Sequence, residues 1–289
     1  MIKVSAPGKL FLSGEWAVLE MGNPGLVAAV DKRVYAEIEE QQHLSYNPYI
    51  SITVDDFNIR NVRASFDGDR LNYVDEIADE EKNRLIFIKG AIETALKYIQ
   101  KCMPFRIRSW GEMSQIKLET GEAKKIGFGS SAAAVVATVA AILAFHGMDI
   151  EKRHTKDIIY KLSAMAHYFA QGKVGSAFDV AASTYGGVFV YKRFDPLWLV
   201  ERMEKKEDVK NIAESEWPGF HVEELDIPEG FSLAIAWTKE EASTSAMIKQ
   251  MDNFKKENPE EYKKVYNDIG KLVSEIIARW KKNEKERII

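Results

Sequence analysis

The stretch from Lys125 to Phe145, KIGFGSSAAAVVATVAAILAF, constrains this chain more than any other. Gly127 and Gly129 let the backbone turn sharply where a Cβ would interfere. Ser130 and Ser131 follow, and either fits the N-cap of a helix. The run after them is apolar apart from Thr138 and is closed by Gly147. It is too short to cross a bilayer and reads as a buried core helix. A glycine loop that runs into a helix offers unpaired N–H groups and the positive end of the helix dipole, so it suits an anion such as a phosphate. The same residues suit a plain tight turn into a core helix, and short glycine motifs match often by chance. The loop is not of the GxxxxGK[ST] type, because Ser130 stands where that motif has lysine. A cation for a phosphate has to come from elsewhere in the chain.

The residues before this stretch supply candidates. Ile2 to Ala6 reads as a strand ended by Pro7-Gly8, which places Lys9 and, after Leu10-Phe11-Leu12, Glu15 on turns beside strand ends. Leu26 to Glu40, Ile50 to Val54 and Phe105 to Trp110 read as further strands. Asn61 to Asp79 is polar and reads as loop. Leu85, Ile88, Ile92, Leu96 and Ile99 recur at helical spacing within Glu80 to Lys101.

After the core helix, Thr155 fits the cap of a helix with Ile158, Leu162, Met165, Ala166 and Phe169 on its buried face. A second small-residue segment, Lys173 to Gly187, holds one carboxylate, Asp179, which suits either a helix cap or a site residue. Gly187 to Tyr191 reads as a strand, and the polar stretch Lys192 to Gly219 as a change of domain. His221 to Leu225 and Phe231 to Trp237 read as two more strands. Ser243, Thr244 and Ser245 then stand at a strand-to-helix junction, a second candidate anion site. Two helices close the chain, the last from Pro259 towards Arg287.

Composition narrows the partners. The 289 residues allow one large domain or two ordinary ones, and 46% hydrophobic content supplies a core. A net charge of −4 argues against nucleic acid and against an anionic membrane surface. Cys102 is the single cysteine, which excludes an intrachain disulfide and fits a reducing, cytoplasmic setting. The N-terminus, MIKVSAPGK, does not read as a secretory leader.

Four segments in register sharpen the reading: APGKLFLSGEWAVL (Ala6 to Leu19), KIGFGSSAAA (Lys125 to Ala134), KVGSAFDVAAS (Lys173 to Ser183) and AWTKEEASTSAMI (Ala236 to Ile248). The first three resemble the GHMP small-molecule kinases. The fourth, with AHYFAQGKVGSAFDVAAS (Ala166 to Ser183), resembles the phosphomevalonate kinase branch of that family.

The resemblance implies an α+β chain of two domains. Residues 1–190 would form an N-terminal ATP-binding domain of the ribosomal-protein-like α/β fold. Residues 191–289 would form a C-terminal, acceptor-binding ferredoxin-like α+β domain. It implies ATP and magnesium as cofactors, phosphomevalonate as the acceptor and diphosphomevalonate as the product. Mevalonate kinase, another mevalonate-pathway enzyme and a non-catalytic ligand-binding relative are the alternatives, and a homodimer stays open.

By the same resemblance, Lys9 and Asp179 match the catalytic pair. Lys125, Gly127, Gly129, Ser130, Ser131 and Ala132 match the phosphate loop, with Ser131 as the magnesium ligand. Lys9, Glu15, Lys173, Gly175, Ser176, Ser243, Thr244 and Ser245 match the acceptor site. A glutamate that binds magnesium in mevalonate kinase-like members is replaced here by His167, which reads as a helix residue with a satisfied ring. The family's third glycine motif is missing after Met247, where Gly270 is the one glycine, so the C-terminal domain is expected to be incomplete.

Overall fold

Alternate residues of one long strand pack on opposite faces of a sheet, and this divides the molecule. The computed structural model describes residues 1–41, 49–112, 116–117, 123–124, 127–172, 175–236 and 244–284. In order, they form β1 (Ile2–Ser13), β2 (Gly25–Glu40), β3 (Ile50–Val54), β4 (Ile59–Phe66), β5 (Leu71–Tyr73), α1 (Asp79–Ile99), β6 (Phe105–Gly111), and the short β7 (Ile116–Lys117) and β8 (Ala123–Lys124). Then come α2 (Ser130–Phe145), α3 (Arg153–Ala170), α4 (Phe178–Tyr185), β9 (Val188–Lys192), α5 (Pro196–Glu204), α6 (Val209–Glu214), β10 (His221–Leu225), α7 (Thr244–Glu257) and α8 (Pro259–Lys281).

The main sheet has eight strands in the order β10-β9-β2-β6-β3-β4-β5, with β1 paired to β2. Its pairings are antiparallel except β3 with β6. Strand β2 is the hub. Strand β1 follows it from Ile38 to Leu26, β9 pairs with Gly25 to Ala28, and β6 pairs with Val34 to Glu40.

Val27 and Phe189 point into the large core with α1, α2, α3 and α4, while their neighbours Leu26, Ala28, Val188 and Val190 pack under Val273, Ile277 and Trp280 of α8. This period-two alternation sets helices on both faces of the sheet. Helix α2 is the centre of the large core: eleven of its residues are buried, among them Ala132 and Thr138. Its first residue follows Gly129, whose φ of 79° is left-handed, so the N-cap is Gly129 and Ser130 and Ser131 lie in the first turn.

Several expectations are corrected. Strand β1 does not stop at Ala6. A register shift between Pro7 and Gly8 absorbs the proline, and pairing continues to Ser13. The polar segment from Asn61 contains most of β4 and all of β5, because Val62, Ala64 and Leu71 are buried between exposed Asn61 and Arg63 and the exposed turn at Gly68. Helix α3 starts at Arg153 with Lys152 as N-cap, so Thr155 is a buried first-turn residue. Residues 231–236 form no strand. Leu233 and Ile235 are half exposed, with no strand beside them among the described residues.

The sheet also continues across residue 190, since β10 pairs with β9 throughout. Beyond β10 the described elements are α7 and α8. No helix among the described residues is long and apolar enough to cross a membrane.

Candidate active site

Three chain segments meet at the N-terminus of α2. The N–H of Lys9 on β1 donates to the carbonyl of Phe128 at 2.9 Å, which ties the glycine loop to the strand. The hydroxyl of Ser183 on α4 donates to the carbonyl of Pro7 at 2.8 Å, which fixes α4 against the same strand. A β-carbon placed on Gly129 would lie 3.0 Å from Lys9 Cγ and 3.8 Å from Asp179 Cβ. Lys9 and Asp179 therefore flank the loop, and glycine is what lets them come this close.

These segments enclose a cavity of about 280 Å³. It gathers Lys9, Gly127, Gly129, Ser130, Ser131, Gly175, Ser176 and Asp179, all named from the sequence, together with His167, Tyr168, Gln171, Ala177 and Phe178. The first-turn N–H groups of Ser130, Ser131 and Ala132 have no acceptor within the helix, and the positive end of α2 opens beside Lys9. The Lys9 ammonium lies 5.5 Å from the centre of the Phe178 ring. Phe178 is held edge-on by Phe11 at 4.5 Å.

His167 is 3% exposed. Its Nε2 lies 3.2 Å from Ser131 Oγ and 4.0 Å from Asp179 Oδ2, and its ring stacks on Phe87 at 5.0 Å. The ring is thus satisfied, as the sequence suggested, but it is satisfied inside the site. Asp179 is a first-turn residue of α4, and its Oδ1 accepts from the N–H of Val180 at 2.9 Å. The N-cap of α4 is Ala177, a residue with a Cβ at φ 59°, ψ 24°.

The loop before α4 is held from β9. The Tyr191 hydroxyl donates to the carbonyl of Ser176, and an Arg193 Nη2 hydrogen is given to the carbonyl of Gly175 at 3.1 Å. The Tyr160 hydroxyl lies 2.9 Å from that of Tyr191. Since Tyr191 uses its hydrogen on Ser176, Tyr160 is the donor between them. Burial pushes both phenols well above their usual range, so both stay protonated donors.

Other named residues are placed differently. Glu15 is exposed on the turn after β1 and does not line the cavity. Thr244 and Ser245 open α7, with side chains outside the described atoms. Lys125, Lys173 and Ser243 lie outside the described residues. Sequence reading missed Phe178, Ala177, Tyr191 and Arg193. Nothing local marks them, since an alanine gives no sign of a left-handed backbone, Tyr191 reads as the end of a strand and Arg193 reads as part of the polar stretch after it. No group of three or more His, Cys, Asp or Glu suited to a metal occurs among the described residues.

Residues 87–187 match the family described as the GHMP kinases N terminal domain. Over 251 residues the chain is 30% identical to a phosphomevalonate kinase of Streptomyces sp. strain CL190, covering 85% of this chain and 64% of that one. It is 29% identical to a phosphomevalonate kinase of Candida albicans, covering 92% of this chain and 67% of the relative. The chain thus spans about two thirds of the length of these curated relatives.

Its fold is similar to that of the Streptococcus pneumoniae phosphomevalonate kinase solved with phosphomevalonate and AMPPNP. The TM-score is 0.73 at 24% identity, over 100% of this chain and 77% of the other. The motif-bearing cavity lies within and beside the matched segment: residues 87–187 carry the N-terminal domain of the GHMP kinases, and the chain as a whole shares the fold of that phosphomevalonate kinase.

Proposed function

We propose that this protein transfers the terminal phosphoryl group of ATP to phosphomevalonate, giving diphosphomevalonate and ADP in the mevalonate route to isoprenoid precursors. The observation that carries this reading is the convergence of Lys9, Ser131 and Asp179 on one cavity at the N-terminus of α2, in a chain whose most similar curated relatives include several named phosphomevalonate kinases alongside mevalonate kinases.

Phosphoryl transfer depends on in-line positioning and on neutralising charge. The first-turn N–H groups of α2, with Gly127, Gly129 and Lys125, take the ATP phosphates. The acceptor is a phosphomonoester with a second pKa of about 6, largely dianionic at pH 7, so it needs no base to become a nucleophile. The harder task is bringing two polyanions together. Lys9 does this by charge, and Asp179 orients Lys9 or the acceptor. Gly175 and Ser176, with Lys173, Ser243, Thr244 and Ser245, hold the acceptor.

Magnesium prefers oxygen donors and usually takes one or two side chains plus phosphate oxygens. The hydroxyl of Ser131, with the carboxylate of Asp179 in the same cavity, fits that preference, and Ser131 is the residue we assign to it. The metal neutralises charge on the phosphate oxygens when bound. A reducing, cytoplasmic setting fits the single cysteine.

The test is ADP release with ATP, magnesium and either phosphomevalonate or mevalonate. Turnover with phosphomevalonate alone is the expected result. Turnover with mevalonate alone would move the acceptor assignment to the alcohol. Binding of ATP without turnover on either would favour a non-catalytic relative.

A further inference from the structure

The loop that leads into α4 has two successive carbonyls pulled the same way. Arg193 Nη2 donates to Gly175 O at 3.1 Å, and the Tyr191 hydroxyl donates to Ser176 O. Tyr191 lies near the end of β9 and Arg193 directly follows the strand, and Tyr160 backs Tyr191 from α3. No cis peptide occurs among the described residues. In a trans peptide the C=O and the N–H of one unit point in opposite directions. Fixing the two carbonyls towards β9 therefore turns the N–H groups of Ser176 and Ala177 away from it. Gly175, Ser176 and Ala177 line the cavity. Gly175 (φ 97°) and Ala177 (φ 59°) are both left-handed, and such a reversal of backbone handedness makes a concave set of N–H donors suited to an anion.

We propose that Arg193 and Tyr191 are positioning residues that hold this loop with its N–H groups presented to the terminal phosphate of the acceptor, a deepening that rests on the function proposed above. The second bond of Arg193 strengthens the case. Its Nη1 donates to Leu19 O at 2.7 Å, so the guanidinium is fixed between two carbonyls from distant parts of the chain. A lysine reaches only one of them, and a planar fork is what spans both. The phenol of Tyr191 is held protonated by burial, so its donation persists across the working pH range.

Tyr191→Phe keeps the ring and removes the hydroxyl. Arg193→Lys keeps the charge and loses the fork. Each is expected to raise the KM for phosphomevalonate about tenfold, while the KM for ATP stays within about twofold of wild type. Each is also expected to speed amide exchange at Ala181, whose N–H bonds Ala177 O at 3.1 Å and so reports the start of α4.

Tyr98→Phe is the control. It loses a hydroxyl bond to Glu214 of 2.6 Å, neither residue lines the cavity, and it should leave both readouts unchanged. A wild-type acceptor KM in both variants, or an equal rise in both KM values, overturns the proposal. A wild-type chain with no turnover of phosphomevalonate would sink the proposed function instead. The exchange at Ala181 would then decide this proposal by itself, and unchanged exchange in both variants would overturn it.

Discussion

Ser131 Oγ and His167 Nε2 lie 3.2 Å apart, joining the first turn of α2 to the last turn of α3 at the edge of the cavity. A serine that gives its oxygen to a metal must point its hydrogen elsewhere, and Nε2 is the acceptor at hand. His167→Ala should weaken magnesium-dependent nucleotide binding about tenfold, in line with other residues that orient a metal ligand. His167→Gln, whose amide oxygen is also an acceptor, should recover most of it. Fluorescent ATP-analogue binding at graded magnesium measures both. A wild-type magnesium requirement in His167→Ala would remove His167 from this role.

Lys9 and Asp179 flank Gly129 from two sides. Because the proposed acceptor is already a dianion, charge on Lys9 should count for more than a proton acceptor at Asp179. Lys9→Met is expected to lose about 10²–10³ in kcat, the scale of removing one electrostatic stabiliser. Asp179→Asn should lose distinctly less. The reverse order in steady-state kinetics would mean that Asp179 takes a proton in the reaction.

Much of this site was readable because its chemistry is local. Gly127 through Ala132 and Gly175 through Asp179 are each one turn of chain, and their residue types report backbone freedom and polarity directly. Their meeting with Lys9 was legible only through the family resemblance, because separations from position 9 to positions 127 and 179 leave no periodic trace. The clamp from Arg193 and Tyr191 was not legible at all, since it acts through backbone carbonyls that any sequence would supply. Strands β4 and β5 were hidden for a related reason. The charged residues of the turn between them and the segment after them, Asp67, Asp69, Arg70, Asp75 and Glu76, set a polar average that masked the alternation.

Ala177 holds φ 59° as the N-cap of α4. A left-handed backbone costs a residue with a Cβ about 1–2 kcal/mol. Glycine removes that cost but loses about 0.5–1 kcal/mol to chain entropy. The strain term wins, so Ala177→Gly should stabilise the protein by roughly 0.5–1 kcal/mol, or about 2 °C in Tm for a chain of this size. A lower Tm by calorimetry would show that the methyl contributes packing that outweighs the strain.

Glu20 connects the turn after β1 to the C-terminal helices, accepting from Lys255 Nζ at 2.6 Å and from the Tyr262 hydroxyl at 2.8 Å. Partial burial raises its pKa, and the bonds from Lys255 and Tyr262 outweigh this, leaving it below the ordinary 4.5. A carboxyl depressed by folding adds stability that is complete above its unfolded value and fades as pH falls through the folded one. The side chain is 38% exposed, so screening limits the effect to about 0.5 kcal/mol. Glu20→Gln should lower Tm by about 1–2 °C at pH 7 and by much less near pH 3. An equal Tm difference at both values would mean the contribution is packing, not charge.

Gly270 is the place where helix propensity and packing disagree. Alanine in a helix interior is favoured over glycine by about 0.8–1 kcal/mol. A β-carbon at Gly270, however, would lie 2.3 Å from Asn23 Oδ1 and 2.9 Å from its Cγ. Asn23 cannot step aside freely, because its Nδ2 donates to Ala17 O at 3.1 Å and to Tyr266 O at 3.4 Å, pinning the turn after β1 to α8. Moving it forfeits those bonds at about 1 kcal/mol each, with further cost from overpacking. The clash should win, and Gly270→Ala should destabilise by about 1–2 kcal/mol. In an Asn23→Ala background the obstruction is gone, and the same substitution should instead stabilise by the propensity difference. That reversal of sign in a double-mutant cycle is the outcome to look for. A destabilisation of equal size in both backgrounds would place the obstruction at some other neighbour of Gly270.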